Sequence, residues 1–315
     1  MKLADRVAGS RGLAGVAIFA AALALAGCGG GGAAVRVDDP RWLTPSFSLT
    51  GAPLTDRADA TGLPLPGGRE SFFNLLYPVA VASRFGALFI ADAGHRQLFR
   101  YERSSGLMHA VPGIKVTPGT ILRVGYDGSV FALEPLSGEI ARHVLGGQVL
   151  PPMQTGGAGR RYLDFAVSTT AGHLLAVDPM RRVVDQIDPF GWIAVPIMNI
   201  ELGGPIAVDG DSVLIADAHC RCVSEWRHGH LVRRLAVGQV RLPKSLAAER
   251  GEIYVLDGFD RSISRVSPEG LETIPARELN LFTPEQIMVS GGMLYVADAG
   301  KHTVAVFRIR RHSSP

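Results

Sequence analysis

Short apolar runs alternate with polar turns along most of the chain. From about residue 67 onward, runs such as "LFIAD", "IYVLD" and "LYVAD" are separated by clusters of Gly, Asp, Ser and Pro. Short runs bounded by such residues are typical of strands joined in antiparallel hairpins. Gly and Pro number 38 and 20, which fits a chain with many turns. The pattern predicts an all-β fold.

One apolar run that ends in an acidic residue recurs six times. Its copies are spaced 42, 44, 39, 40 and 41 residues apart, and an aliphatic side chain follows six residues after the acid in every copy. Unrelated apolar runs would not keep this offset, so the chain contains six copies of one unit. The acidic residues are Asp92, Glu134, Asp178, Asp217, Asp257 and Asp298.

Each unit has room for four strands. A first run is followed by a turn, the run that ends in the acid, a third run, a Gly-bearing turn and a fourth run. Four strands in about 40 residues are the signature of a propeller blade. The sequence therefore predicts a six-bladed β-propeller with four-stranded blades over residues 67–315.

The last unit lacks its fourth strand. It ends at "VFRIRRHSSP", which leaves no room for one. A propeller must close its ring, and an uncovered outer edge would invite aggregation. We therefore expect an N-terminal segment to supply the missing strand. The candidates are "SFSLTG" and the stretch around Leu63–Leu65.

The units resemble a known repeat. "PVAV" followed by "LFIADAGHRQLFRY", and "PEQIMV" followed by "LYVADAGKHTVAVF", are similar to NHL repeats. The resemblance covers roughly Gly67 to Arg310. It is strong in units one, four, five and six and weaker in units two and three. It implies the same six-bladed ring that the periodicity predicts.

The N-terminus has the three parts of an export signal. A short basic segment, "MKLADRVAGSR", precedes the apolar "GLAGVAIFAAALA" and then "LAGC". This resembles a bacterial lipoprotein signal peptide over residues 1–27, cleaved before Cys28, whose thiol would carry the lipid anchor. The alternative is an uncleaved transmembrane helix.

The resemblance also implies a location. Gly29 follows Cys28 where Asp would mark retention in the inner membrane, so we expect an outer-membrane lipoprotein that faces the periplasm. The periplasmic face of the inner membrane is the alternative. Residues 28–66 are rich in Gly, Pro and small polar side chains, and we interpret them as the lipidated Cys and a tether that could also hold the closing strand.

Net charge offers no support for binding to nucleic acid. The formal charge of the whole chain is +3. Removing residues 1–27 takes away Lys2, Arg6, Arg11 and Asp5 and leaves a charge near +1. A nearly neutral protein has no general attraction for a phosphate backbone.

The recurring acidic residue has two interpretations. A short carboxylate at the end of a strand can accept hydrogen bonds from the backbone amides of the following turn. A ring of carboxylates could instead bind a cation. Because the residue recurs in all six units and an active site is rarely six-fold, we predict the backbone role.

Three histidines lie just after the acidic residue, in units one, four and six. They are His95, His219 and His302, at offsets of three, two and four residues from the acid. Three imidazoles can bind zinc, but the unequal offsets need not point them the same way. No cofactor is predicted, and zinc or calcium remains the alternative.

Arginines occupy the same turns. Arg181, Arg182, Arg221 and Arg261 would give this face of the propeller a basic character suited to an anionic ligand or an acidic protein patch. Loops on a rigid scaffold are where binding residues concentrate. Arginines in loops also serve solubility alone, so both interpretations stand.

The segment "HCRC", residues 219–222, contains two cysteines separated by one residue. Cys220 and Cys222 would tend to pair in an oxidising periplasm, although extended backbone holds such neighbours near the upper limit for a disulfide, and a turn is required. Free or intermolecular thiols and a metal site are the other two interpretations.

No catalytic motif is present in the sequence. There is no GxSxG and no HExxH, and no Gly-rich loop that could cradle a phosphate. We predict a non-catalytic scaffold that binds an envelope protein or a small ligand. The alternative, implied by the resemblance, is a metal-dependent lyase or lactonase that uses His95, His219 and His302. Such propeller enzymes place metal ligands or a catalytic His near the axis of the ring.

Overall fold

The structure, a computed structural model, describes residues 42–59, 62–144, 149–153, 160–168, 172–188 and 193–310. These residues form 26 strands and two short 3₁₀ helices, and the strands assemble into six blades around one axis. The predicted all-β, six-bladed propeller is confirmed. In the described ranges no helix has the length and apolar character needed to cross a bilayer. Residues 1–27 and Cys28 lie outside them.

Three strands precede the first repeat, and the first repeat forms blade one. The early strands are β1 (Leu43–Leu49), β2 (Gly51–Thr55) and β3 (Glu70–Asn74). The strands of blade one are β4 (Pro78–Arg84), β5 (Ala87–Asp92), β6 (Gln97–Glu102) and β7 (Met108–Val111).

Blades two to five are four-stranded antiparallel meanders whose strands follow one another in the sequence. Blade two contains β8 (Ile121–Val124), β9 (Val130–Glu134), β10 (Glu139–His143) and β11 (Val149–Met153). Blade three contains β12 (Asp164–Val167), β13 (Leu174–Asp178), β14 (Val183–Ile187) and β15 (Ala194–Asn199). Blade four contains β16 (Ile206–Asp209), β17 (Ser212–Asp217), β18 (Cys222–Arg227) and β19 (His230–Leu235). Blade five contains β20 (Pro243–Glu249), β21 (Glu252–Asp257), β22 (Ser262–Ser267) and β23 (Gly270–Pro275).

Blade six is completed by the N-terminal part of the chain. It contains β24 (Pro284–Ser290), β25 (Met293–Asp298) and β26 (Thr303–Ile309), with β1 as its outer strand. The two 3₁₀ helices are η1 (Ala276–Leu279), before this blade, and η2 (Ala299–Lys301), within it.

The ring closes through an antiparallel pairing of β1 with β26. Leu43 lies opposite Ile309, and the pairing continues to the end of β1 with one irregularity. The "SFSLTG" segment therefore supplies the closing strand. The other candidate, Leu63–Leu65, does not, because Pro64 forms only an isolated bridge with Ala58.

The propeller also begins earlier than residue 67. The strand β2 pairs in parallel with β7 through Leu54 and Met108, and β3 adds to β2, so the sheet of blade one has six strands. Trp42 is buried and stacks on Tyr254, with 5.3 Å between ring centroids. The described part of residues 28–66 thus belongs largely to the propeller rather than to a tether.

The hydrophobic core is divided among the interfaces between blades. Buried apolar side chains of the described residues form six clusters, and each cluster joins two neighbouring blades. Between blades two and three, for example, Phe131 and Leu133 pack with Phe165 and Ala176. Every blade therefore depends on both of its neighbours, and no blade buries its faces alone.

Removing β1 should destabilise the whole propeller. A protein that begins at Gly51 loses the burial of Trp42, Leu43 and Leu49, each a contribution of roughly 2 kcal/mol, as well as the ladder to β26. We expect its melting temperature to fall by about 10 °C or more, since 1 kcal/mol corresponds to roughly 2–4 °C in a domain of this size.

Thermal unfolding followed by circular dichroism measures this effect, with a protein that begins at Arg41 as the control. Equal melting temperatures for the two proteins would show that ring closure through β1 does not stabilise the fold.

Candidate functional site

A buried acidic residue ends the second strand of every blade. All six side chains are no more than 7% exposed. Because all blades share one strand order, the turns that follow these residues lie on one face of the ring. We call it the turn face: it consists of those six turns and the segments that enter the first strands of the blades.

The carboxylates bind backbone amides of two separate segments. Asp92 accepts hydrogen bonds from the N–H of Gly94 in the following turn, at 2.9 Å, and from the N–H groups of Leu76 and Tyr77, at 2.7 and 2.9 Å. Leu76 and Tyr77 belong to the segment that enters β4. The predicted backbone role is confirmed, and it extends to this entry segment. We call the arrangement the carboxylate clasp.

The clasp recurs in blade five, and its bonds to the entry segment recur in blade six. Asp257 accepts hydrogen bonds from the N–H of Phe259, at 2.8 Å, and of Arg241, at 2.8 Å. Asp298 accepts them from the N–H groups of Phe282 and Thr283, at 2.8 and 2.7 Å. The acid therefore ties the start of the first strand to the end of the second.

Glu134 performs the same role in blade two with a longer side chain. It accepts hydrogen bonds from the N–H of Ser137, at 2.7 Å, and from Oγ1 of Thr117, at 3.0 Å. Burial acts to raise the pKa of Glu134, but the bonds from Ser137 and Thr117 outweigh it, so the pKa lies below its ordinary value.

The fourth residue after the acid has a left-handed backbone in every blade. In blade two this residue is glycine, Gly138, with φ +72°. A residue with a β-carbon pays about 1 kcal/mol for this conformation, so glycine is the relaxed choice. The other five blades use a basic or imidazole side chain, with φ from +50° to +57°, and all five are exposed: Arg96, Arg182, Arg221, Arg261 and His302.

These arginines are available for binding. Among the described residues no carboxylate lies within ion-pair distance of Arg96, Arg182, Arg221 or Arg261. Arg261 donates only a long hydrogen bond, of 3.4 Å, from Nη1 to the carbonyl of Phe282. All four occupy the fourth position after the acid, so we treat them as one set. Arg182, Arg221 and Arg261 were predicted from the sequence as binding candidates, and the structure adds Arg96.

Arg181 does not belong to this set. Its Nη1 and Nη2 donate to the carboxylate of Asp185, at 2.8 and 3.2 Å, and Tyr162 donates to the same carboxylate. The hydrogen bonds to Asp185 raise the pKa of Arg181 above its ordinary value. This guanidinium is therefore held by the protein itself.

The three histidines share the turn face without converging on a point. The Nδ1 of His95 lies 3.2 Å from the clasp carboxylate of Asp92. The imidazole packs against Phe73, with 4.3 Å between centroids, and contacts Phe99 edge-on. His95 is thus part of the packing of blade one.

His219 and His302 have different partners. His219 is exposed, and its Nε2 atom lies 3.7 Å from a carboxylate oxygen of Glu201. His302, the left-handed residue of its turn, contacts the carbonyl of Leu76 through Nδ1. No group of three or more His, Cys, Asp or Glu side chains in the described ranges is arranged to hold a metal ion.

Cys220 and Cys222 are joined by a disulfide, with 5.2 Å between their Cα atoms. The residue between them is Arg221, and its positive φ supplies the turn that brings the two cysteines together. Cys222 is fully buried in blade four. The disulfide is therefore part of the turn that carries one arginine of the set.

Large apolar side chains are exposed on the same face. In three blades such a side chain lies in the turn, two residues after the acid, and this spacing could have been read from the sequence. The three residues are Leu136, Met180 and Phe259, which are 65% to 79% exposed. Others lie on the entry segments: Leu76, Tyr77, Leu163, Leu202, Leu242 and Phe282. Aromatic residues, Met and Arg are the types enriched at protein interfaces.

The axis of the ring is narrow and mostly aliphatic. The first strands of the blades enclose a cavity of about 130 Å³, lined by Ala, Val, Leu, Ile and Met side chains together with Arg123. Arg123 donates to Asp164, at 2.9 and 3.1 Å. Burial raises the pKa of Asp164 despite the nearby charge of Arg123. Gln286 donates across the axis to the carbonyl of Leu122, at 3.2 Å.

Comparisons with known proteins address the fold alone. The sequence matches no protein-family model and no curated protein. The structure is similar to virginiamycin B lyase from Staphylococcus aureus, with a TM-score of 0.56 and 13% identity over 84% of this chain and 98% of that one. It is similar to a gluconolactonase from Xanthomonas campestris, with a TM-score of 0.57 and 15% identity over 84% of this chain and 98% of that one. A chain of a nidogen/laminin complex matches with a TM-score of 0.54 and 14% identity, over 67% of this chain and 85% of that one.

Breaking one clasp should destabilise the fold. Replacing Asp298 by Ala leaves the amides of Phe282 and Thr283 without their charged acceptor, and we expect the free energy of unfolding to fall by about 3 kcal/mol. Asp298→Asn keeps one acceptor oxygen and should lose less. Denaturation in urea measures both.

The control is Asp260→Ala, since Asp260 is exposed on the same face and, within the described ranges, accepts a hydrogen bond from the hydroxyl of Ser262 alone. Its free energy of unfolding should change by no more than about 0.5 kcal/mol. Equal losses for Asp298→Ala and Asp260→Ala would contradict the structural role of the clasp.

Proposed function

We propose that this protein is a non-catalytic binding scaffold of the cell envelope, and that a partner protein or ligand binds its turn face. The observation that carries the proposal is the composition of that face. It presents a register-matched set of arginines without carboxylate partners among the described residues, beside large exposed apolar side chains. A soluble monomer rarely exposes such a combination unless it forms an interface.

The clasp supports the same proposal. Each arginine of the set lies on a turn in which a backbone amide binds a buried carboxylate, so it is presented without a large loss of backbone entropy on binding. Rigid elements position binding residues more accurately than free loops do.

The proposed location is the periplasmic side of the outer membrane, with lipid attached at Cys28. The N-terminal sequence carries this part of the proposal, through its basic segment, apolar segment and "LAGC". The periplasm is oxidising, which suits the disulfide between Cys220 and Cys222.

The alternative function is a metal-dependent lyase or lactonase. The structural likeness to virginiamycin B lyase and to a gluconolactonase favours it, although identities near 15% carry only the fold. In this chain the side chains at the axis are mainly aliphatic, and His95, His219 and His302 each have a different partner.

Metal analysis distinguishes the two functions. We expect elemental analysis of the purified, tag-free protein to find less than about 0.1 zinc or calcium ion per chain, because no described ligand cluster exists to hold one. Stoichiometric metal that is lost in His219→Ala and in His302→Ala would favour the enzyme. The control is His230→Ala, which changes an exposed His in β19 of the same blade as His219.

Site-specific photocrosslinking tests the scaffold. A benzoylphenylalanine in place of Phe259, which is 65% exposed on the turn face, should form defined adducts with an envelope component in intact cells. The matched control is the same replacement at Phe85, which is 74% exposed in the turn between β4 and β5, on the opposite face. Adducts from both positions in equal yield, or from neither, would contradict the proposal.

A further inference from the structure

Two clefts of the turn face meet at blade five. One, of about 390 Å³, is lined by Arg221 of blade four, by Gln239 and Arg241 of the connecting segment, and by blade five itself. The other, of about 460 Å³, lies toward blade six. Both clefts share three lining residues on blade five: Asp260, Ser262 and Thr273. The two clefts are therefore adjacent, and we call them together the blade-five groove.

The groove concentrates positive charge. Arg221 and Arg241 line one cleft, and Arg261 and Arg277 line the other; all four are exposed. No carboxylate in the described part of the chain lies within ion-pair distance of them. The whole chain has a formal charge of only +3, so this cluster is a local feature of the surface.

The two acidic residues of the groove form no ion pair with these arginines. Asp257 is buried, and its oxygens are committed to the amides of the clasp. Asp260 accepts a hydrogen bond from Oγ of Ser262, at 2.6 Å. Both carboxylates keep their negative charge, but the four arginines outnumber them, so an acidic ligand would meet a net positive charge.

The groove also has an apolar wall and a polar floor. Phe282, which is 60% exposed, lines the second cleft with Leu281 and Pro275. The floor of the first cleft carries hydroxyl groups, where Ser264 and Thr273 lie 2.8 Å apart. Hydroxyls can bind the polar groups of a peptide backbone, and an aromatic wall can bind an apolar side chain.

We propose that the blade-five groove binds an extended acidic segment of a partner protein, with carboxylates on the arginines and an apolar side chain against Phe282. The proposal rests on the proposed scaffold function and specifies its partner. The length of the paired clefts favours a peptide over a small anion. The apolar wall favours a peptide over a polyphosphate or nucleic acid, which charge alone would attract.

The probe is a fluorescein-labelled ten-residue peptide with four Glu, two Phe and four Ser. Fluorescence anisotropy measures its binding to the full-length protein in phosphatidylcholine nanodiscs, with empty nanodiscs as the blank. Two further peptides, with Gln in place of Glu or Ser in place of Phe, separate the contributions of charge and apolar contact. We expect each of them to bind about three- to tenfold more weakly than the parent peptide.

The protein variant is the double substitution Arg221→Gln and Arg261→Gln. We expect it to bind the parent peptide about tenfold more weakly, and added NaCl to weaken binding to the unaltered protein. The matched control is Arg250→Gln. Arg250 has the same left-handed backbone, with φ +56°, and belongs to the same blade, but it lies in the turn between β20 and β21 on the opposite face. Binding to this control should change by less than about twofold.

Three outcomes would overturn the proposal: unchanged affinity in the double variant, an equal loss in Arg250→Gln, or equal affinity for the peptide without Phe. Inorganic polyphosphate that displaces the peptide at an equal concentration of charge would also overturn it, since the groove would then recognise charge alone. If one of these occurs while Phe259 still crosslinks to an envelope component, the groove assignment fails and the scaffold function stands. If Phe259 forms no adduct, the scaffold function itself fails.

Discussion

The carboxylate clasp is the interaction on which the rest of the structure depends. In blades one, two and five a buried acid at the end of the second strand binds both the following turn and the segment that enters the first strand. Two pieces of chain some fifteen residues apart are thereby held by one side chain. In the described part of the chain, the acids of blades three and four bind amides of the turn, and the acid of blade six binds amides of the entry segment. The tight turn then requires a residue with a left-handed backbone conformation, and in five blades the side chain of that residue is exposed to solvent. In blades one to five, the turns that carry side chains of the turn face are thus held by these buried acids.

The clasp and the interfaces between blades act on different scales. The clasp orders one blade, whereas the six apolar clusters join each blade to the next. The large exposed apolar side chains and the exposed arginines of the turn face are not members of those clusters, so these positions can vary in composition without loss of the core. Three quite different neighbours, a lyase, a gluconolactonase and a chain of a nidogen/laminin complex, share the ring with this protein. Proteins that share this fold can therefore differ in function, and the side chains exposed on a face of the ring can differ while the core is kept.

Periodicity was sufficient to predict the ring, because the spacing of the six acids and the fixed offset to an aliphatic residue reflect local strand geometry. It also predicted that the acids bind backbone amides. It could not show that Arg181 is held by Asp185 while Arg182 is exposed, since the direction of each side chain depends on the turn. The blade-five groove was equally hidden, because its walls come from two turns and two connecting segments that only the ring brings together. The left-handed register was present in the sequence as the fourth residue after each acid. Alignment on that position would have grouped Arg96, Arg182, Arg221 and Arg261 with His302, and it would have set Arg181, His95 and His219 apart.

Closure by β1 has a consequence for how the protein folds. The first strand of the propeller pairs with the last one, so Leu43 can pair with Ile309 only after all the intervening blades have been synthesised. Blades one to five can assemble in order as they emerge, but the sheet of blade six stays open until β26 has been made. The contact that joins the ends has a very large sequence separation, and forming it is slow because a long loop must close. A chain cut short anywhere before β26 therefore leaves β1 without its pairing strand, and the ladder between them forms only when all six repeats are present.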